Sequence, residues 1–185
     1  MAKTRSIGLK KILLGDVVLT GGMPAESDMV QIGRTYKGTA NFTTEADTIK
    51  DFWCEEEPGV PVDSITTEFG LKNLVFNVLE WDNESLVRIF GGATKPVTAV
   101  IDGESRTVEK YVPPANAVEI EQALRAISLR KTGIDIPRAK IMARFIWALT
   151  REEIAQIEIT ARALAPFAAT DGAYEVYSIP EPVQA

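Results

Sequence analysis

Cys54-Glu55-Glu56-Glu57 is the densest run of reactive side chains in the sequence, one thiol followed by three carboxylates. Two kinds of chemistry use such groups. Paired carboxylates do general acid–base work or hold a hard cation, and a thiolate can serve as a nucleophile. Neither has its usual support here. The chain contains no histidine, which excludes Ser-His-Asp and Cys-His nucleophilic systems and removes the commonest metal ligand. A reactive thiolate needs a base or cationic neighbours to lower its pKa. Cys54 has Trp53 on one side and three acids on the other. Glycosidase carboxylates work at set separations across a sugar ring, and three adjacent glutamates before Pro58 carry no such signal. The run reads as a solvated loop, and Cys54 as a buried or incidental thiol. Phosphate cradles of the GxGxxG and GxxxxGK[ST] types are absent. The expectation is a protein that is not an enzyme, with no catalytic residues, no cofactor and no bound metal.

Other side chains suit binding rather than catalysis. Phe52-Trp53 and Phe145-Ile146-Trp147 offer aromatic surface for stacking on sugars or bases. Large aromatics are also what cores and subunit interfaces use, so Phe52, Trp53, Phe145 and Trp147 are read as interface candidates. Arg130, Lys131, Arg138 and Lys140 make a small basic patch in a chain of formal charge −6. Such a patch reads as a salt-bridged face. The acidic balance argues against nonspecific nucleic-acid binding, which needs cations to neutralise phosphates. It is compatible with an acidic conduit that nucleic acid passes without sticking.

The elements that must carry these groups are mostly strands. The 185 residues suggest one domain with no internal boundary, and 45% hydrophobic content is ordinary for a globular chain. No apolar run reaches the length of a bilayer span, about 18 residues. One cysteine permits no internal disulfide. Residues 7–19 carry an apolar stretch interrupted by Gly15-Asp16, and 20–29 read as a loop. Residues 34–47 and 65–81 are strand-like, while 48–64 are broken by Pro58 and Pro61, their first half a short helix or an edge strand. A helix of about two to three turns is expected over about 83–90. Asp82 or Asn83 caps it, Leu86, Ile89 and Phe90 share a face, and Gly91-Gly92 end it. Residues 96–114 read as a hairpin with Asp102-Gly103-Glu104-Ser105 as its turn, and 117–137 hold two candidates around Lys131-Thr132-Gly133.

The stretch Asp135 to Pro166 has two readings. As helices, Ile141, Met142, Phe145, Ile146 and Leu149 form a stripe, and Thr150 with Glu153 makes a capping box. As strands, Gln156, Glu158, Thr160 and Arg162 fall on one face, alternating with Ala155, Ile157, Ile159, Ala161 and Ala163 on the other. A helix would scatter the four polar residues. The alternation favours antiparallel strands over 138–149 and about 155–164, joined by a helical turn or short loop through Thr150 to Ala155, the capping pattern reading as a short helical link.

Four segments in this order resemble the tail tube (major tail) proteins of long-tailed bacteriophages. They are "GLKKILLGDVVL", "GTANFTTEADTIKDFWCEEEPGVPVDSITTEFG", "NLVFNVLEWDNESLVRIFGGA" and "TGIDIPRAKIMARFIWALTREEIAQIEITARALAP". The resemblance spans 7–167 and is one of order and texture, because that family has no catalytic signature. It implies a mainly β fold, an antiparallel barrel or sandwich with one short flanking helix, in a single domain 1–185. Extended segments would occupy 1–6 and 168–185. It implies subunits that form stacked, usually hexameric rings by joining their sheets, so that a genome passes down the hollow tube on ejection. The implied partners are other copies of the chain and tail components such as tape measure, terminator and distal tail proteins. DNA would pass without specific binding, and there would be no membrane insertion. The implied location is the virion tail, after synthesis in the host cytoplasm. Gln156, Glu158, Thr160 and Arg162 become the candidate lumen-facing polar row, although Arg162 runs against a purely acidic lining. Two alternatives remain open, another ring component of the tail and a monomeric β-rich ligand-binding module. An enzyme working through carboxylates alone is a third.

Overall fold

The computed structural model describes residues 6–130 and 132–178. Most of the segment expected to be extended at 1–6, Lys131 of the basic patch, and 179–185 of the expected C-terminal extension lie outside the described residues. The fold is mainly β, with 49% strand and 6% helix. The strands are β1 (Leu9–Gly15), β2 (Asn41–Thr44), β3 (Thr48–Phe52), β4 (Asp63–Glu68), β5 (Lys72–Val78), β6 (Ala93–Ile101), β7 (Glu104–Val112), β8 (Ile120–Ser128), β9 (Thr132–Ile146), β10 (Gln156–Ala163) and β11 (Glu175–Ser178). The one α-helix among the described residues is α1 (Asn83–Phe90).

Seven strands make one curled antiparallel sheet, a half-barrel in the order β1-β8-β9-β10-β5-β2 with β11 also paired to β9. The long β9 is its spine. One edge of β9 pairs with β8; the other pairs with β10 over Ala139–Ile146 and with β11 over Thr132–Asp135. The β8–β9 register shifts between Gln122 and Leu124, opposite Ile136 and Ala139. Pro137 sits in that bulge, where a residue without an N–H can be accommodated inside a sheet.

Strand alternation builds the core. Leu74, Phe76 and Val78 of β5 face inward with Ile157, Ile159 and Ala161 of β10, Leu124 of β8 and Ile12 and Leu14 of β1. Leu86 and Ile89 of α1 pack into the same cluster. Ile157 and Ile159 are wholly buried, and each such side chain stabilises the fold by about 1.5–3 kcal/mol. The helix forms where its signals lie. Asp82 is the N-cap, accepting the Ser85 N–H at 2.7 Å, and Gly91 takes a positive φ of 72° at the C-cap. That hydrogen bond holds the Asp82 carboxyl below the usual carboxylate range.

The closing hairpin is β9 and β10, antiparallel from Gln156 opposite Ile146 to Ala163 opposite Ala139. Two details differ from expectation. Residues 150–155 form bends and irregular chain with no helical turn, so the Thr150/Glu153 capping pattern caps nothing. β9 also stops at Ile146, short of 149. Among the described residues no strand lies opposite Trp147 to Leu149, and unpaired backbone has no ladder to extend.

Two ribbons leave the half-barrel. β6 and β7 pair over nine residues each and turn at Asp102-Gly103, both at positive φ. β3 and β4 prolong the β2–β5 hairpin: Thr44 opposes Lys72, and Thr48 opposes Glu68 in unchanged register. The first half of 48–64 is thus a strand, one of the two forms open to it. The ladder breaks at Gly70, where a Cβ would lie 2.0 Å from the Glu45 carbonyl oxygen. Every residue of β3 and β4 is exposed.

Candidate functional site

The outer face of the half-barrel is a polar lattice. Gln156, Glu158, Thr160 and Arg162 do share that face of β10, while their neighbours Ile157, Ile159 and Ala161 are buried. Each meets a cross-strand partner row. Glu158 lies opposite Arg144 and accepts two hydrogen bonds from it, Nε at 2.6 Å and Nη2 at 3.0 Å. The guanidinium holds the Glu158 carboxyl below its usual range. Gln156 Oε1 accepts from Asn77 Nδ2 at 2.8 Å. Thr160 sits between Met142 and Val75. Arg162 lies between Lys140 and Asn73, with its Nε buried and unpartnered. Lys140 is drawn to Glu119 and Arg138 to Glu121, two ion pairs that account for half of the expected basic patch. The row is therefore a mixed surface, ion-paired except at Arg162 among the described residues, and not a uniformly acidic one.

The four aromatic candidates separate into two places. Phe52 and Trp53 lie on the exposed β3–β4 ribbon, where Lys50 Nζ sits 5.4 Å from the Phe52 ring centroid. Phe145 and Trp147 lie at the far end of β9. Phe145 stacks on Phe90 of the helix with centroids 4.8 Å apart, and Trp81 meets both Phe145 and Trp147 edge-on at 5.9 Å. This cluster is half-wet: Phe145 is 41% exposed and Trp147 58%. Trp81 and Phe90 complete it. Phe90 was legible as a helix-face residue, but nothing in the local pattern ties either ring to Phe145.

Cys54 sits half-exposed near the ribbon tip and donates to Glu56 Oε2 at 2.7 Å. That bond holds Glu56 below the usual carboxylate range. Among the described residues no three His, Cys, Asp or Glu side chains gather as a metal site, and no helix is long and apolar enough to cross a membrane.

A cleft of about 820 Å³ opens where the half-barrel is incomplete. The two terminal strands of the sheet, β1 and β2, face each other across it. Leu74, Ala126 and Ile134 form its floor; Lys10, Lys11, Arg34 and Lys37 stand on its rim, and no carboxylate lines it among the described residues. Among the described residues, one backbone bridge crosses from β1 toward the other side, the paired hydrogen bonds of Leu14 with Val30. The rest of the outer edge of β1 has no strand beside it among the described residues. No protein-family model matches the chain, and no curated protein matches its sequence.

One further cluster was not visible in the sequence. Asp135 is buried on the outer face, gripped by Arg125 and touched by the Tyr177 hydroxyl at 3.2 Å. Burial raises the Tyr177 pKa. The cluster pins β11 to the spine, which is a structural task. It depends on pairing residues far apart in sequence, and no local signal marks it.

Proposed function

We propose that this chain is a structural subunit that works by self-assembly, as the tail tube protein of a long-tailed phage does, with no catalytic step. One observation carries the reading: the folded chain leaves a large share of its β-structure without a packing partner. A two-stranded ribbon alone is marginally stable in water; the β3–β4 ribbon is exposed throughout, and the β6–β7 ribbon rests on α1 only near its base, through Tyr111 and Glu109. Ile49, Val60, Val62, Ile65 and Phe69 are exposed on the first, and Val97, Val100, Ile101 and Val112 on the second. Both terminal strands of the main sheet are open edges, which pair readily with another chain. A heterologous contact repeated around an axis closes such edges into a ring. The outer lattice around Gln156, Glu158, Thr160 and Arg162 suits a wall that DNA passes without adhering, because three of its four cations, Arg138, Lys140 and Arg144, are already paired with Glu121, Glu119 and Glu158 and little free charge is left to hold phosphates. In this reading the partners are other copies of the chain and the neighbouring tail proteins, and the location is the virion tail.

The test is size-exclusion chromatography across a concentration series, followed by negative-stain imaging. Rings or stacked tubes are expected. A chain that stays monomeric at high concentration, and whose melting temperature rises with an added saccharide, would replace this reading with a binding module using the Trp81–Phe145–Trp147 surface.

A further inference from the structure

The chain's charge is divided in a way that points to where copies meet. Residues 47–68, the β3–β4 ribbon with its tip, hold seven acids (Asp47, Asp51, Glu55, Glu56, Glu57, Asp63, Glu68) and one base, Lys50. Their net −6 equals the formal charge of the whole chain, so the remainder is balanced. The cleft between β1 and β2 has the opposite character, four cations and no carboxylate among its described lining residues. Two of the four are neutralised within the chain: Lys11 by Glu26, and Arg34 by Glu80 at 3.1 Å. Lys10 and Lys37 are exposed and form no salt bridge among the described residues.

Apolar surface matches as well. The cleft presents half-buried Leu9, Phe42 and Ile134 and exposed Leu129 and Val176 beneath its cationic rim, with buried Leu74 and Ala126 behind them. The ribbon tip presents Trp53, Val60 and Val62, which are 58%, 61% and 64% exposed. Pro58 and Pro61 keep the tip out of regular pairing. The ribbon does not fill its own cleft: none of residues 47–68 lines it.

We propose that the cleft between β1 and β2 receives the acidic tip of the β3–β4 ribbon, residues 53–62, from a second copy of this chain. Lys10 and Lys37 meet Glu55, Glu56 and Glu57, and Trp53, Val60 and Val62 cover the apolar floor. The contact is head-to-tail, so each copy offers one tip and one cleft and the series propagates. The inference rests on the assembly reading only in requiring that copies associate; it specifies which surfaces do so.

The single native cysteine supplies the test. Cys54 lies at the tip, so Lys37→Cys in the full-length chain places the only other thiol on the rim. Mild oxidation at a concentration where the chain associates should give a ladder of covalent dimers, trimers and higher species on a non-reducing gel. Cys54→Ser added to Lys37→Cys should abolish the ladder. In a second arm, K10E/K37E should dissociate assemblies at least tenfold more readily in sedimentation, and E55K/E56K/E57K added to it should restore association. The inference is overturned by rings or tubes of the Lys37→Cys variant in which the introduced thiol forms no disulfide with Cys54 of a neighbouring copy, which leaves the tube reading standing. It is overturned equally by crosslinks that persist after Cys54→Ser, and by a chain that never associates. A crosslinked ladder from a chain that forms no ring or tube keeps the inference and removes the tube reading.

Discussion

Arg125 grips Asp135 with two parallel hydrogen bonds, Nε to Oδ1 at 2.8 Å and Nη2 to Oδ2 at 2.6 Å. The Asp135 side chain is only 6% exposed and that of Arg125 19%. Removing one partner leaves the other buried without its counter-charge. Asp135→Ala is expected to destabilise the chain by roughly 3–5 kcal/mol in urea unfolding. Tyr177→Phe removes one hydrogen bond from the same carboxylate and should cost about 1 kcal/mol. Equal costs for the two variants would mean that the ion pair is not the anchor.

Gly133 leaves room for the ring that covers it. A Cβ there would lie 2.2 Å from the Tyr177 ring. Gly133→Ala should lift β11 off the spine at a cost of about 1–3 kcal/mol. Hydrogen exchange at Glu175–Ser178 should rise while exchange in β10 stays slow. Uniform protection across both strands would contradict this packing.

Three carboxylates give the stability a direction in pH. Asp82 is held low by the Ser85 N–H, Glu121 by Arg138 and Glu158 by Arg144. Each folded pKa lies below its unfolded value. Their stabilisation is therefore fully present above roughly pH 4.5, near the ordinary carboxylate values. It is lost as pH falls through the folded values. The melting temperature should hold steady from neutral pH down to that point and then drop. Asp82→Ala should cost about 1 kcal/mol at neutral pH and flatten part of the acid slope.

The polar row and the helix were legible in the sequence because both are local. Alternation over Gln156 to Arg162 follows from the pleat, and Asp82, Leu86, Ile89 and Gly91 encode a helix within a few residues of one another. The link at 150–155 misled because Thr150 and Glu153 fit a capping box, but residues 149–154 are all exposed, so no apolar face is buried to offset the cost of a helical nucleus as Leu86 and Ile89 do for α1. Phe52 and Trp53 lie far in the fold from the ring cluster of Phe145 and Trp147. Their local sequences look alike, and only the register of β9 against its neighbours decides which rings meet Trp81.

The end of β9 offers a test of assembly separate from folding. Trp147 and Leu149 are 58% and 87% exposed beyond the last paired residue. Leu149→Ser should change monomer stability by less than about 1 kcal/mol. The same variant should raise the concentration needed for association if this end of the strand is covered by another copy. Unaltered association would restrict copy-to-copy contacts to the ribbons and the open edges.

The pairing of β1 with β8 also sets a timetable for the growing chain. β1 ends at Gly15 and its partner begins at Ile120, roughly a hundred residues later. The two ribbons are local hairpins and can form within microseconds of emerging. Ile12-Leu13-Leu14 must instead wait for β8 to be translated, on the order of ten seconds at ordinary synthesis rates. During that interval the most apolar strand near the N-terminus has no sheet to join. The length of that exposure is thus set by topology, at a stage when the finished protein's stability has no influence on it.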